Sequence, residues 1–430
     1  MTAVPASASA ATERHAGSIA IIGLLFFIIG FFTWINGPLI TFVKLAFDLD
    51  EVKAFFVVFV FYISYFVLAL PASWALRRTG LKKGLALSLL VMAAGAAVFG
   101  ELSTQRIYAG ALTGLFIIGG GLALLQTAVN PYISILGPID SAAQRIALMG
   151  ICNKVAGMLA PLLIGAFVLH GIGDLATQVQ AADAATKAVL LDQFAAKIHA
   201  PYLTMAAVLV AVAIAILFSP LPEIVPSQAN AERARDGAAG KGSVFQFPHL
   251  WLGVLCLFVY VGVEVLAGDA IGTYGSGFGL PLDETKFFTA FTLGAMLVGY
   301  LVGLVAIPRF ISQERYLSVS AVLGILFALG AFLTEGYVSV GFVAALGFAN
   351  AMMWPAIFPL AIKGLGRFTE TGSALLIMGI AGGAIIPQLF AVLKQHHDFQ
   401  LVFVALAVPC YLYILFFALH GHRLGRDRAA

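Results

Sequence analysis

The chain has 430 residues, of which 61% are hydrophobic and only 10% charged, and its net charge is +3. A soluble domain needs a polar skin that this composition cannot supply. A nearly neutral balance without polybasic clusters excludes nucleic acid as a partner. Three cysteines, Cys152, Cys256 and Cys410, lie far apart within apolar runs and read as small core residues, so no disulfide framework, metal site or cofactor is expected.

Apolar runs near 20 residues recur from end to end, the length that crosses a ~30 Å hydrocarbon layer. Water is absent there, and a helix satisfies its own backbone groups. Residues 1–17 are small and polar, and the run behind them is too long for a signal-peptide core, so no cleavage is expected. Twelve spans then follow, at about 18–46, 53–76, 84–101, 107–135, 142–169, 201–218, 249–278, 286–307, 316–334, 337–362, 371–393 and 399–419. The fold class is therefore an all-α membrane protein embedded in a lipid bilayer.

Of the 24 Lys and Arg residues, 16 fall on the side of the N-terminus, 7 on the opposite side, and Lys154 inside a span. Positive charge gathers on the cytoplasmic side, which puts both termini in the cytoplasm, as expected for a bacterial inner-membrane protein. The longest inner connection, 219–248, has Pro220, Pro222 and Pro226 followed by Ser, Asn, Ala and Gly with mixed charge, a linker composition. It separates an N-terminal six-helix half, 1–218, from a C-terminal six-helix half, 249–430. The outer stretch 171–199 is Ala-rich with Asp174, Asp183 and Asp192, and predicts a short surface helix without an assigned role.

The halves echo each other. Span four reads Gln126-Thr-Ala-Val-Asn130-Pro131 and span ten reads Asn350-Ala-Met-Met-Trp354-Pro355, an offset of 224 residues. Spans five and eleven share Met149-Gly150-Ile151 and Met378-Gly379-Ile380, an offset of 229. Parallel halves of this kind are the plan of the major facilitator fold, which holds its substrate near the midplane between them. A monomer is expected.

Spans three, six and nine carry no charge or amide in their interiors, and span twelve has only Gln400 at its edge. Spans one, four, five, seven, ten and eleven carry Asn36, Gln126, Asn130, Asn153, Lys154, Glu264, Asp269, Asn350 and Gln388. Every third helix is thus fit to face lipid, and the others are fit to line a cavity. The amides have two readings, hydrogen bonds between helices or contacts to a substrate. Gln126 and Asn130 share a helix face, and Trp354 lies one turn from Asn350. Amides beside an aromatic ring suit a neutral sugar, whose hydroxyls need donors and acceptors and whose C–H face packs on the ring.

Lys154 and Glu264 are central in spans five and seven. A charge at helix centre costs at least ~2.5–3.5 kcal/mol, so such residues have partners or functions. They either fix the helices, as a buried ion pair or with each bonded to backbone carbonyls, or form a site where Glu264 takes and releases a proton. Asp269 lies ~7.5 Å farther along the axis, toward an outer vestibule. Gly37-Pro38 is expected to interrupt span one, and Gly382-Gly383 and Pro387 span eleven, while Pro355 and Pro359 bracket the end of span ten. The run Gly119-Gly120-Gly121 predicts close helix packing.

The inner loop Ser73-Trp-Ala-Leu-Arg77-Arg78-Thr79-Gly80-Leu81-Lys82-Lys83 resembles the signature loop of the major facilitator superfamily, with Ser73 and Arg77 where the motif has Gly and Asp. Gln126-Thr-Ala-Val-Asn-Pro-Tyr132, Leu136-Gly-Pro138, Tyr260-Val-Gly-Val-Glu264-Val and Gly364-Leu-Gly-Arg-Phe368 through Gly382-Gly-Ala-Ile-Ile-Pro387 resemble the fucose/proton symporter family of that superfamily. Thr33-Trp-Ile-Asn-Gly-Pro38 and Ser141-Ala-Ala-Gln-Arg-Ile with Met149-Gly-Ile-Cys-Asn-Lys154 are similar to its branch of N-acetylglucosamine and glucose/galactose permeases. The resemblance implies monosaccharide import, usually driven by a proton. Fucose symporters carry an Asp where Gly37 stands and a Glu where Gln126 stands, so fucose is disfavoured and the coupling site does not carry over. Glu264, with Asp269 beyond it, is then the expected proton carrier. Asn36, Gln126, Asn130, Asn153, Lys154, Asn350, Trp354 and Gln388 are the expected sugar contacts. Sodium in place of the proton stays open.

A drug or metabolite exporter on the same fold is the main rival, although a lipophilic-cation pocket would want acids and aromatics rather than amides. A membrane-embedded enzyme is the remoter one. All eight histidines fall in loops or at span ends, and no Cys–His or His–acid pair lies at membrane depth.

Overall fold

The structure, a computed structural model, describes residues 6–135, 142–219, 221, 243–307 and 309–425, with side chains described in these stretches except at 6–16, 130–135, 142–147, 367 and 370. Among the described residues there is no strand, and 12 helical segments are long and apolar enough to cross a membrane. They are Gly17–Ala46, Glu51–Thr79, Leu81–Thr104, Tyr108–Val129, Leu148–Phe167, Ala184–Phe218, Pro248–Gly268, Leu282–Ala306, Gln313–Leu333, Gly336–Ile362, Thr371–Leu393 and Phe399–Arg423, spans one to twelve below.

Local chemistry sets several of the ends. Asp50, Ser312 and Asp398 each accept a backbone N–H from three residues ahead and so start spans two, nine and twelve. The Lys53 N–H bonded to Asp50 holds that exposed carboxyl below the usual range. The three glycines of span four draw helices together. A Cβ at Gly119 would collide with Ser64 and Phe61 of span two, and one at Gly121 would lie 2.9 Å from the Met92 backbone of span three.

Spans six and nine bury least, 28% and 33% of their most apolar windows, in keeping with a lipid-facing position. Span three buries 56% of its window, as much as span one, because it packs between spans four and six. It is less peripheral than its composition suggests.

Spans six and eight each begin with a separate short helix, Ala184–Ala196 and Leu282–Thr285, and spans one, seven, ten and eleven are broken within their length. Span one consists of Ala6–Trp34 and Asn36–Ala46 with a turn at Ile35, two residues before the expected Gly37-Pro38. Pro38 then sits in the first turn of the second segment, where a missing N–H costs nothing. Span seven stops at Gly268, turns at Asp269 and Ala270, and resumes as Ile271–Gly277, a break that the apolar run did not announce. Span ten breaks between Asn350 and Met353. Span eleven is interrupted by a tight turn, Gly379–Ala381, just before Gly382, while Pro387 lies inside the continuous helix Gly382–Leu393.

The stretch 171–199 holds two short helices, Ile172–Ala181 and Ala184–Ala196, rather than one. They cap one face of the bundle, called the lid face here. Phe194 packs on Phe42 at 5.2 Å, Lys187 pairs with Asp48 at 2.6 Å, and Arg106 pairs with Asp192 at 3.1 Å. On this face the first six spans are also clasped to the last six. Asp283 accepts from the Gly173 N–H at 3.0 Å, Lys286 donates to the Leu169 carbonyl at 2.9 Å, and the two side chains pair at 2.7 Å. On the other flank Lys394 pairs with Glu51, and Gln388 donates to the Val52 carbonyl at 3.1 Å.

Replacing Lys286 by Met is expected to loosen the first clasp. A Thr285→Cys reporter, in a background lacking Cys152, Cys256 and Cys410, should then react faster with a membrane-impermeant maleimide. An unchanged labelling rate would remove the clasp from the account of closure.

Candidate transport site

The centre of the bundle is organised by Lys154 of span five and Glu264 of span seven. Their Nζ and Oε1 atoms are 3.2 Å apart, and both side chains are nearly sealed from solvent, at 8% and 10% exposure. The ammonium also sits 4.7 Å from the Trp34 ring centroid and 5.9 Å from that of Tyr300. A cation over an aromatic face gains further attraction when desolvated. The Tyr260 hydroxyl, one turn before Glu264, lies against the carboxylate. The pair thus joins the first six spans to the last six through charge, not only through packing.

The polar residues nearby are divided between structural bonds and free groups. Gln126 donates to the Tyr65 hydroxyl at 3.1 Å, and Asn153 donates to the Phe26 carbonyl at 3.4 Å. Asn36 is fully buried. Its amide donates to the Thr33 carbonyl at 3.1 Å, closing the turn of span one, while its Oδ1 has no partner. Trp34 Nε1 and the Tyr62 hydroxyl are buried without partners as well. Such atoms normally find a bond, so unpaired ones gathered around a helix break are places for a polar ligand or water.

Asp269 occupies the break of span seven and is 1% exposed, so it does not line an open vestibule. Neither carboxyl oxygen has a hydrogen-bond partner. The break of span one lies directly opposite. A Cβ at Gly37 would be 3.3 Å from Asp269 Cα and would collide with Thr289 Oγ1.

The remaining expected residues have other partners. Asn350 Oδ1 accepts from the Tyr411 hydroxyl of span twelve at 2.9 Å, which leaves its Nδ2 free. Trp354 stacks on Phe358 with centroids 5.9 Å apart. Gln388 belongs to the lid-face contacts, with its Oε1 unpaired. The Asn130 side chain lies outside the described residues. Tyr62, Tyr65 and Tyr300 join the site without carrying the charge or amide by which the other polar residues stand out in the sequence. Their signal was a hydroxyl inside an apolar span, with Tyr62 and Tyr65 three residues apart on one face of span two.

A bundle of twelve apolar spans with broken helices, a buried ion pair and free polar groups at its centre is built as a multi-pass membrane transporter. The chain belongs to the Major Facilitator Superfamily, whose profile matches residues 22–387.

Among similar proteins, a glucose/galactose transporter of Brucella abortus is 31% identical over 423 residues, covering 97% of this chain and 98% of the relative. A putative glucose/galactose transporter of Helicobacter pylori is 29% identical over 407 residues, covering 93% and 95%. The L-fucose-proton symporter of Escherichia coli is 26% identical over 402 residues, covering 90% of each chain. Among solved structures, the transporter FucP in its outward conformation matches with TM-score 0.73 at 24% identity, covering 96% of this chain and 100% of its own. The inward-open xylose transporter XylE from E. coli matches with TM-score 0.67 at 14% identity, covering 93% and 95%.

Proposed function

We propose that this protein imports a monosaccharide, glucose or galactose, together with a proton across the bacterial cytoplasmic membrane. The lid face is outside, and the linker and both termini are in the cytoplasm. The observation that carries the reading is the buried Lys154–Glu264 pair, set among amides, tyrosines and the Trp34 ring at a broken helix. Relatives named for glucose and galactose, matched over nearly their whole length, support the sugar, and a proton symporter among the relatives supports the ion. In this reading the halves 1–218 and 249–430 rock about a central site while 219–248 links them. Asn36, Gln126, Asn153 and Lys154 are the nearest sugar contacts. Asn130, Asn350, Trp354 and Gln388 complete the set if the halves move. Glu264 and Asp269 are the acids placed to carry the proton.

Purified protein in liposomes is expected to accumulate radiolabelled glucose or galactose when the outside is acid. Unlabelled glucose, galactose and N-acetylglucosamine serve as competitors, the last because the motifs around Asn36 and Lys154 also fit that branch, and fucose should compete poorly. Accumulation driven by a sodium gradient alone, or strong competition by fucose only, would overturn this reading.

A further inference from the structure

Span seven carries two buried acids five residues apart, and their surroundings are opposite. Glu264 faces Lys154 and forms an ion pair with it. Asp269 forms no hydrogen bond, and the two buried lysines among the described residues are committed elsewhere, Lys154 to Glu264 and Lys286 to Asp283 and the Leu169 carbonyl.

Spans one, two and eight, which bring groups near Asp269, supply no counter-charge to it. Span one presents Gly37, whose N–H approaches the carboxyl without reaching hydrogen-bond geometry. Span eight presents Thr289, whose hydroxyl is used by the Gly268 carbonyl at 2.8 Å. Span two presents Tyr62, whose hydroxyl is buried and unpaired and lies within electrostatic range. Its own span contributes the like charge of Glu264. A carboxylate held here would be an uncompensated charge away from water, which is far more costly than the neutral acid.

We propose that Asp269 binds the coupling proton and that it must be neutral before the lid face can close. The inference rests on the proton-coupled reading above and assigns the carrier within it. When the lid face opens, Gly37 parts from the break of span seven and water reaches the carboxyl, which takes a proton from outside. Closing strips that water away, so the ionised form resists closure and the protonated form permits it. Opening on the other side readmits water, and the proton leaves to the cytoplasm. Glu264 stays paired with Lys154 and acts as a positioning residue.

The test compares wild type and Asp269→Asn in liposomes with radiolabelled glucose or galactose. Wild type that ignores a pH gradient overturns the proton-coupled reading itself. Where wild type responds, Asp269→Asn should still exchange sugar at equal concentrations on both sides, with exchange no longer varying with pH. It should fail to concentrate sugar, so that inside and outside levels become equal. Gradient-driven accumulation that persists in this variant overturns Asp269 as the carrier and leaves the transporter reading standing. Should the Asn variant prove misfolded by size-exclusion chromatography, Asp269→Glu keeps the acid and displaces it. That variant should shift the pH midpoint of exchange, and an unshifted midpoint overturns the proposal.

Discussion

Lys154→Met is expected to abolish sugar uptake and to destabilise the protein markedly, by about 3–5 kcal/mol, the range found when one partner of a buried ion pair is removed. The side chain it replaces neutralises Glu264 and lies over Trp34 and Tyr300. Met fills most of the volume but leaves the carboxylate without a counter-charge. Adding Glu264→Gln removes that charge, so the double variant should recover much of the lost thermal stability in detergent while uptake stays absent. If the two single losses simply add in the double variant, the residues are not energetically coupled, and the pair does not organise the site.

Gly37→Ala is expected to stop turnover while leaving sugar binding measurable. The added methyl would collide with Thr289 Oγ1 and press on the backbone of Asp269, where the breaks of spans one and seven meet. Alanine suits a helix better than glycine, so the effect comes from the close approach alone. If closing the lid face seats span one against span seven, as proposed above, the variant is expected to be trapped open there. Binding by scintillation proximity and counterflow in liposomes would separate the two effects. Gly341→Ala is the matched control, because nothing lies within 4 Å of a Cβ at Gly341. Normal counterflow by Gly37→Ala would show that the two breaks need not touch.

The twelve spans were legible because hydropathy over about 20 residues is a strong signal and lipid allows few alternatives. Lys154 and Glu264 were legible as mid-span charges that need partners, while the bond between them, in place of separate bonds to backbone carbonyls, is a finding of the structure. The break at Asp269 was not, since Gly268-Asp269-Ala270 holds no proline and reads as a continuing helix. Consequently Asp269 was expected in a vestibule, whereas the turn carries it into the seam against Gly37. The amides mark the opposite limit. Asn350 and Gln126 look alike in sequence, yet one bonds Tyr411 of span twelve and the other bonds Tyr65 of span two. Which neighbour an amide meets depends on helix rotation, and a span that is apolar on all sides does not reveal its rotation.

The bond from Tyr411 to Asn350 also bears on how the chain is made. Its two ends are 61 residues apart, on spans ten and twelve, and the amide is wholly buried once they meet. During synthesis span ten therefore enters the bilayer with an amide whose partner has not yet left the ribosome. Until span twelve arrives, the insertion machinery or water must hold that group. The last helices of this protein consequently settle together, and a nascent chain arrested before Phe399 should remain bound to the insertion machinery.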